Sequence, residues 1–394
     1  MRGSLPATLD RMNETLPAAT AEPAQPRVGP LPDREASASR GASTGEEILA
    51  IASQPEQAAS TDAGLLATPE NVGRRFFTWR TGLSFLFGVA ILAWVVRSSA
   101  LDPTDVVEKL KNVDLTWYFL AVTCYLTTFP FRGLRWQRLL VDNGTRLPMR
   151  PLTEVIFLSW FVNSVMPGKV GDVYRAYLLR GEYGLSISRT VGTVLAERIA
   201  DIVMLVSVLG ISGAIVLGDH VDPRITQILE FGWAGVVLLL VGLWVMYRYG
   251  SIIMRMFPKR IHETYDRFAD GTFASFRNPH ILAILTAMAW ASEAGRLYCV
   301  VRSLGVAISP VESLFTVAAI SLALIIPTPG GLGGVEAAFL GVMPLFGVPA
   351  PVAIVVAFLD RLISYYGIIA TGLPAFVLTR RGQASPVGPR SRTS

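Results

Sequence analysis

The chain is poor in charge. Of its 394 residues 16% are Asp, Glu, Lys or Arg and 51% are hydrophobic, whereas soluble domains are about a quarter charged. That excludes an ordinary soluble fold and points to a chain that crosses a membrane several times. Cysteine is nearly absent. Cys124 and Cys299 both fall in apolar windows and read as small packing residues rather than a disulfide or a metal pair. Three histidines, none grouped with cysteine, argue against a structural metal. No H-E-x-x-H or phosphate-binding P-loop occurs, and the one G-x-S-x-G match, GASTG at 41–45, has no strand pattern before it, so no cofactor, catalytic residue or ATP-driven pumping is expected. Lysine is scarce too: 31 of the 35 basic residues are arginine, whose planar fork of donors suits phosphate oxygens.

What is present is long apolar sequence. Uncharged windows lie at residues 81–96, 115–131, 202–218, 231–247, 313–335, 337–359 and 362–379. They approach the roughly 17–25 residues that span a bilayer core. Residues 1–73 hold five arginines and ten carboxylates, a charge of −5 against +5 for the whole chain. Rich in Ala, Pro, Ser and Thr, with no sustained apolar period and no signal-peptide pattern, they read as a disordered cytoplasmic tail. Residues 74–380 form the transmembrane domain, and 381–394 a second tail.

Loop charge sets orientation, because cytoplasmic loops carry excess Lys and Arg. Arg74, Arg75 and Arg80 put the N-terminus inside. The acidic stretch 98–114 is outside, and Arg132, Arg135, Arg138, Arg146 and Arg150 are inside. If the next apolar run, 155–166, crossed fully, Lys169, Arg175, Arg180 and Arg189 would lie outside, as would the basic loop 248–277. A re-entrant segment satisfies the charge rule at both places, provided its broken backbone is buried or lines a wet cavity. The last span ends at Arg380 and Arg381, inside. The second broken stretch, LIIPTPGGLGGVEAAF (324–339), precedes a helix expected over 335–347, about 20 Å long and short of a core of about 30 Å. It reads as a hairpin entered from outside, although two full spans give the same final side.

The two broken segments match. PGKVGDVYRAYL (167–178) and PGGLGGVEAAFL (329–340) agree at six of twelve positions. Upstream, RGLRWQRLL (132–140) faces RLYCVVRSL (296–304), each with Arg at its first and seventh positions. Downstream, Glu197-Arg198 faces Asp360-Arg361. The spacings agree, 35 against 33 residues from Arg to Pro and 30 against 31 from Pro to the acid–Arg pair. The expected fold is therefore an all-α polytopic bundle of two inverted-topology repeats, about 81–218 and 231–379, each with a re-entrant broken hairpin.

Gly and Pro stop a helix and free backbone N–H groups, and a half-helix N-terminus attracts anions. Helices starting near Asp172 and near Gly334 each place such a terminus beside a break, and Gly330, Gly331 and Gly333 would let backbone approach a phosphate. Gly also permits close helix packing, so both readings stand. Charged side chains within spans are expensive, hence functional or paired. These are Glu197, Arg198 and Asp201, Glu293 and Arg296, Glu336, and Asp360 with Arg361. A buried structural ion-pair network is the alternative to a binding site. Arg132 and Arg296 rank above Arg135 and Arg138 because the repeat pairs them; the other two read equally well as a stop signal.

RGLRWQRLL, FVNSVMPGKVGDVYRAYLL, AERIADIV and IPTPGGLGGVEAAF together resemble the lysylphosphatidylglycerol synthase transmembrane region, also called the UPF0104 or flippase-like family, over about residues 80–380. That resemblance implies a lipid flippase moving aminoacylated phosphatidylglycerol, with some relatives linked to polyprenyl-phosphate sugars. The full-length enzymes continue into a soluble aminoacyl-transferase domain, which is expected to be absent here. The expectation is a non-enzymatic translocase in the cytoplasmic membrane, both termini inside, acting on a phospholipid or polyprenyl-phosphate lipid. Arg132, Lys169, Arg175, Arg198, Arg296 and Arg361 would neutralise the phosphate, and Asp172, Glu197, Asp201, Glu293, Glu336 and Asp360 would hold them or meet a cationic headgroup or proton. Nucleic acid is not an expected partner; a homodimer and a separate lipid-modifying enzyme are compatible ones. A membrane transferase acting on lipid phosphates and a small-anion exporter are the competing readings.

Overall fold

The computed structural model describes residues 108–166, 169–218, 223–324 and 328–378. The tails 1–73 and 381–394, the first expected span at 81–96 and most of the loop after it lie outside the described residues, as do Pro167 and Gly168.

All assigned elements are helical. α1 (Leu115–Asp142) is capped by the Asp114 side chain, which accepts from the backbone N–H of Thr116 and Trp117. It packs along its length against α7 (Pro279–Ser303). The Asp114 N–H donates to the Ser303 carbonyl at 2.8 Å, and Asn278 donates to the Asp142 side chain at 2.8 Å. The start of each helix therefore meets the end of the other, so the pair is antiparallel and pinned at both ends. These are the helices that carry the matching R-x5-R sequences.

α2 (Met149–Val165) and α3 (Val170–Tyr183) fold back on one another as a first hairpin. At 17 and 14 residues they are about 25 and 21 Å long, both short of a hydrocarbon core of about 30 Å. Their contact is close because Gly171 has no side chain: a Cβ there would collide with the Ser159 carbonyl oxygen. Ser159 donates to the Gly171 carbonyl at 2.7 Å, and the Gly171 N–H donates to the Asn163 side chain at 2.8 Å. The break is turned by Lys169, a non-glycine residue in the left-handed region (φ 54°).

α4 (Ile187–Leu217) and α5 (Pro223–Met254) are long. α5 extends well beyond the uncharged window 231–247, and Arg248 near its end is exposed, as an arginine whose head reaches water while its stem stays apolar. Among the described spanning stretches α5 is the least buried, exposing Phe231, Trp233, Leu238, Trp244 and Tyr247. The basic stretch after it, expected as a loop, contains α6 (Lys259–Ala274). This amphipathic helix packs on α4 where Gly192 and Gly271 bring the backbones together, with the Thr272 hydroxyl donating to the Gly192 carbonyl at 3.3 Å.

The second hairpin joins α8 (Pro310–Ala323) to α9 (Gly334–Val342), which continues as a 3-10 turn, Met343–Phe346, and stops at Gly347 in the left-handed region. Each arm is shorter than its counterpart in the first hairpin, 14 against 17 residues and 9 against 14, and the two pack on each other. A further 3-10 turn, Pro329–Gly331, lies in the break. α10 (Ala350–Arg361) passes through a π turn, Leu362–Tyr366, into α11 (Gly367–Leu378). Among the described residues three helical stretches are long and apolar enough to cross a membrane: Ile187–Val216, Leu229–Met254 and Ala350–Leu378.

Candidate functional site

Charged side chains are buried at the middle of this apolar bundle, and they meet there. On the first-half side, α4 presents Glu197, Arg198 and Asp201 on adjoining faces. Arg135 of α1, whose side chain is fully buried, bridges Glu197 and Asp201, the latter at 2.7 Å, and donates to Thr286 of α7 at 3.0 Å. Arg175 of α3 takes the other Glu197 oxygen at 2.5 Å and stacks its guanidinium on Trp136. Arg198 forks onto Asp172, Nε at 2.7 Å and Nη2 at 2.6 Å, and lies 3.6 Å from Asp201. Asp172 also accepts from Asn163 at 3.2 Å. Lys169 stands exposed at the turn before α3.

On the second-half side, Arg296 of α7 binds Asp360 of α10 directly and Glu293 at 3.1 Å, with its guanidinium near the Tyr125 ring. Ser364 donates to Asp360 at 3.3 Å. Arg361 pairs with Glu336 at 3.0 Å, donates to the carbonyls of Gly330 (2.7 Å) and Gly331 (3.0 Å), and lies over Tyr365. Glu336 accepts the Gly333 N–H at 2.6 Å. Arg132 lies between the two sides, 3.9 Å from Asp201 and 3.7 Å from Glu293.

Of the expected site residues all but the exposed Lys169 lie in this network, and with Arg135 included six arginines are matched by six carboxylates. The arrangement differs from a bare basic cavity. At the start of α9, where an anion was expected at the free N–H groups, the chain's own Glu336 carboxylate is the acceptor. The three glycines are placed otherwise than expected as well. Gly330, Gly331 and Gly333 all have positive φ (58°, 70° and 83°), and the loop turns the carbonyls of Gly330 and Gly331, rather than N–H groups, toward a cation, Arg361.

The halves solve this in one way. Asp172 lies three residues past the N-cap Lys169, and Glu336 three past the N-cap Gly333. Each is held by the arginine of the downstream acid–Arg pair. Lys169 aligns with Gly331 in the repeat, and both are left-handed.

Sequence reasoning underrated Arg135, which the structure makes the most buried arginine of the network, while Arg138 is exposed as a charge at a helix end should be. It also passed over Trp136, Trp160, Asn163 and Tyr365. The available signal was spacing: Arg132 and Arg135 lie three residues apart on one helix face, and Trp136 follows within the same turn.

The family model described as "Lysylphosphatidylglycerol synthase TM region" matches residues 82–372. A UPF0104 membrane protein of Methanocaldococcus jannaschii is 32% identical over 223 residues, covering 56% of this chain and 95% of that protein. Another UPF0104 membrane protein, from Methanothermobacter thermautotrophicus, is 26% identical over 325 residues, 76% of this chain and 92% of its own. Glycosyltransferase AglD of Haloferax volcanii is 26% identical over 314 residues, 68% of this chain but 50% of that protein.

Proposed function

The chain belongs to the lysylphosphatidylglycerol synthase TM region family, and from that premise we propose that it is a lipid translocase moving an amphiphile with a phosphate headgroup across the cytoplasmic membrane. One observation carries the reading. A network of six arginines and six carboxylates sits amid an apolar bundle and ties together both broken hairpins. Such groups in a membrane interior are expensive and mark substrate paths.

The two hairpins are re-entrant and the halves are inverted repeats. The antiparallel α1–α7 pair, the equivalent acid–Arg clasps and the matching left-handed turn residues support this. Both termini are cytoplasmic. The headgroup enters among Arg132, Lys169 and Arg198 at the first hairpin, where the network is most accessible. The second hairpin closes the other side, and access alternates between them.

A second reading, a membrane transferase acting on lipid phosphates, draws on the likeness to glycosyltransferase AglD. The matched region is half of that protein, and the same region spans nearly the whole of the UPF0104 proteins. This favours a module that handles the lipid over one that performs the transfer.

The test is reconstitution of the purified chain into liposomes with a panel of fluorescent phospholipids and polyprenyl-phosphate lipids. The expected outcome is movement of anionic phosphate lipids between leaflets at rates above protein-free liposomes. Failure to move any member of the panel, with sugar or aminoacyl transfer to a lipid acceptor instead, would replace this reading with the second.

A further inference from the structure

The six arginines of the network are not equivalent. Five hold a carboxylate at close range: Arg135, Arg175, Arg198, Arg296 and Arg361. Arg132 does not. Its nearest carboxylate oxygens, Glu293 Oε1 at 3.7 Å and Asp201 Oδ2 at 3.9 Å, are beyond hydrogen-bond length; Asp201 Oδ2 already accepts from Arg135 at 3.3 Å, and the other Glu293 oxygen from Arg296. Yet Arg132 is 9% exposed, its Nε has no hydrogen-bond partner among the described residues, and its guanidinium lies over Trp160, 4.7 Å from the ring centre.

A buried guanidinium without hydrogen-bond acceptors is costly. Further donors near it are left in the same condition: Thr128 Oγ1 and Arg135 Nε, a turn to either side of it on the same face of α1, and Arg296 Nε on the facing helix α7. Donors that lack acceptors, set between two halves, are what a site for a small anionic group leaves when drawn without its ligand. The charge count bears on which anion. Arginines and carboxylates of the network cancel, and Lys169 at the hairpin turn, with no ion-pair partner among the described residues, adds one positive charge. One negative charge closes that balance; two or three leave uncompensated charge where the dielectric is low.

We infer that Arg132 is the residue that takes the anionic group of the amphiphile, and that the site is balanced for a headgroup with a single negative charge, a phosphodiester, over a diphosphate. This rests on the reading of the cluster as a lipid-phosphate site. Arg132 touches the anion; the other five arginines position the carboxylates that keep it unoccupied.

The experiment is titration calorimetry on the full chain in a neutral detergent. The probes are dihexanoylphosphatidylglycerol, geranylgeranyl diphosphate and, as a zwitterionic control, dihexanoylphosphatidylcholine. The glycerol diester is expected to bind at least about tenfold more tightly than either other probe. Arg132→Gln weakens it about 10- to 100-fold, the range that loss of hydrogen bonds to a charged group gives. Arg132→Lys, keeping the charge without the fork, recovers part of the loss. Arg132→Gln removes no hydrogen bond but leaves six carboxylates facing five arginines, so its thermal unfolding midpoint is measured to establish that it folds before its binding is compared. Equal or tighter binding of the diphosphate by the unaltered chain overturns the charge argument, and diester binding unchanged in Arg132→Gln overturns the assignment. If Arg132→Gln does not fold, the Lys variant decides, because unchanged diester affinity there removes the guanidinium from the site. Arg132-dependent binding without any lipid movement in liposomes would sink the translocase and leave this inference standing; movement that ignores Arg132 does the reverse.

Discussion

The two broken hairpins use one device in two degrees of closure. In both, a carboxylate in the first turn of the returning helix is gripped by an arginine from the acid–Arg pair downstream: Asp172 by Arg198, Glu336 by Arg361. In the second hairpin the clasp is sealed. Arg361 and Glu336 side chains are 8% and 11% exposed, two glycine carbonyls complete the arginine's hydrogen bonds, and Tyr365 covers it. In the first, Arg198 is 31% exposed, an asparagine donates to the carboxylate instead of carbonyls accepting from the arginine, and a lysine stands where the second hairpin has glycine. The two hairpins share the electrostatic bond and differ in the lining around it, so that one is closed against its surroundings and the other is not.

The largest expected effect comes from opening the sealed clasp. Arg361→Gln leaves Glu336 buried without its cation and should cost about 3–5 kcal/mol, read as a fall in the thermal unfolding midpoint of the detergent-purified chain. Gly171→Ala attacks the first hairpin where a new methyl meets backbone, and about 1–3 kcal/mol is expected. Gly330→Ala meets the movable Tyr365 ring instead but is strained by its positive φ, so measuring both variants separates backbone collision from conformational strain. Arg198→Gln should cost less than Arg361→Gln, about 1–2 kcal/mol, because its clasp is partly in contact with surroundings and Asp172 keeps the Asn163 bond. Equal losses for the two arginines would erase the difference in closure. Smallest is Lys169→Gly, which gives the first hairpin the second one's turn residue. Relief of the left-handed strain, offset by glycine's chain entropy, limits any gain to about 1 kcal/mol. Lipid movement should nevertheless fall, as the surplus positive charge is gone.

Much of this was legible in the chain. The breaks announce themselves through Pro and Gly inside apolar sequence, and the start of α9 at Gly334 and its stop at Gly347 follow from them. The equivalence of the two clasps was harder. Aligned by sequence, Asp172 falls opposite Gly334, not Glu336; the second loop is longer by two residues before its helix begins, so the equivalence appears only when positions are counted from each N-cap. Arg135 was hidden for another reason. Its partners Glu197 and Asp201 lie more than 60 residues away, and which arginine of a turn faces them depends on how α1 is rotated against α4. α6 was hidden by its charge: six Arg, Lys, Asp and Glu residues between 259 and 270 read as loop, while the apolar face that docks on α4 is interrupted by the very glycine that makes the docking close.

The lengthwise seam between α1 and α7 has a mechanical corollary. Two lobes that swing apart need a cleft to hinge around, and here the line where the halves meet is stitched at Asp114–Ser303, at Asp142–Asn278 and through the arginines between. A molecule riveted along its midline behaves as a keel with two flaps. In the translocation cycle proposed above, motion that changes which face is open would fall to the short hairpin arms hung from it, and tightening or loosening one clasp would be a local event that need not disturb the spine.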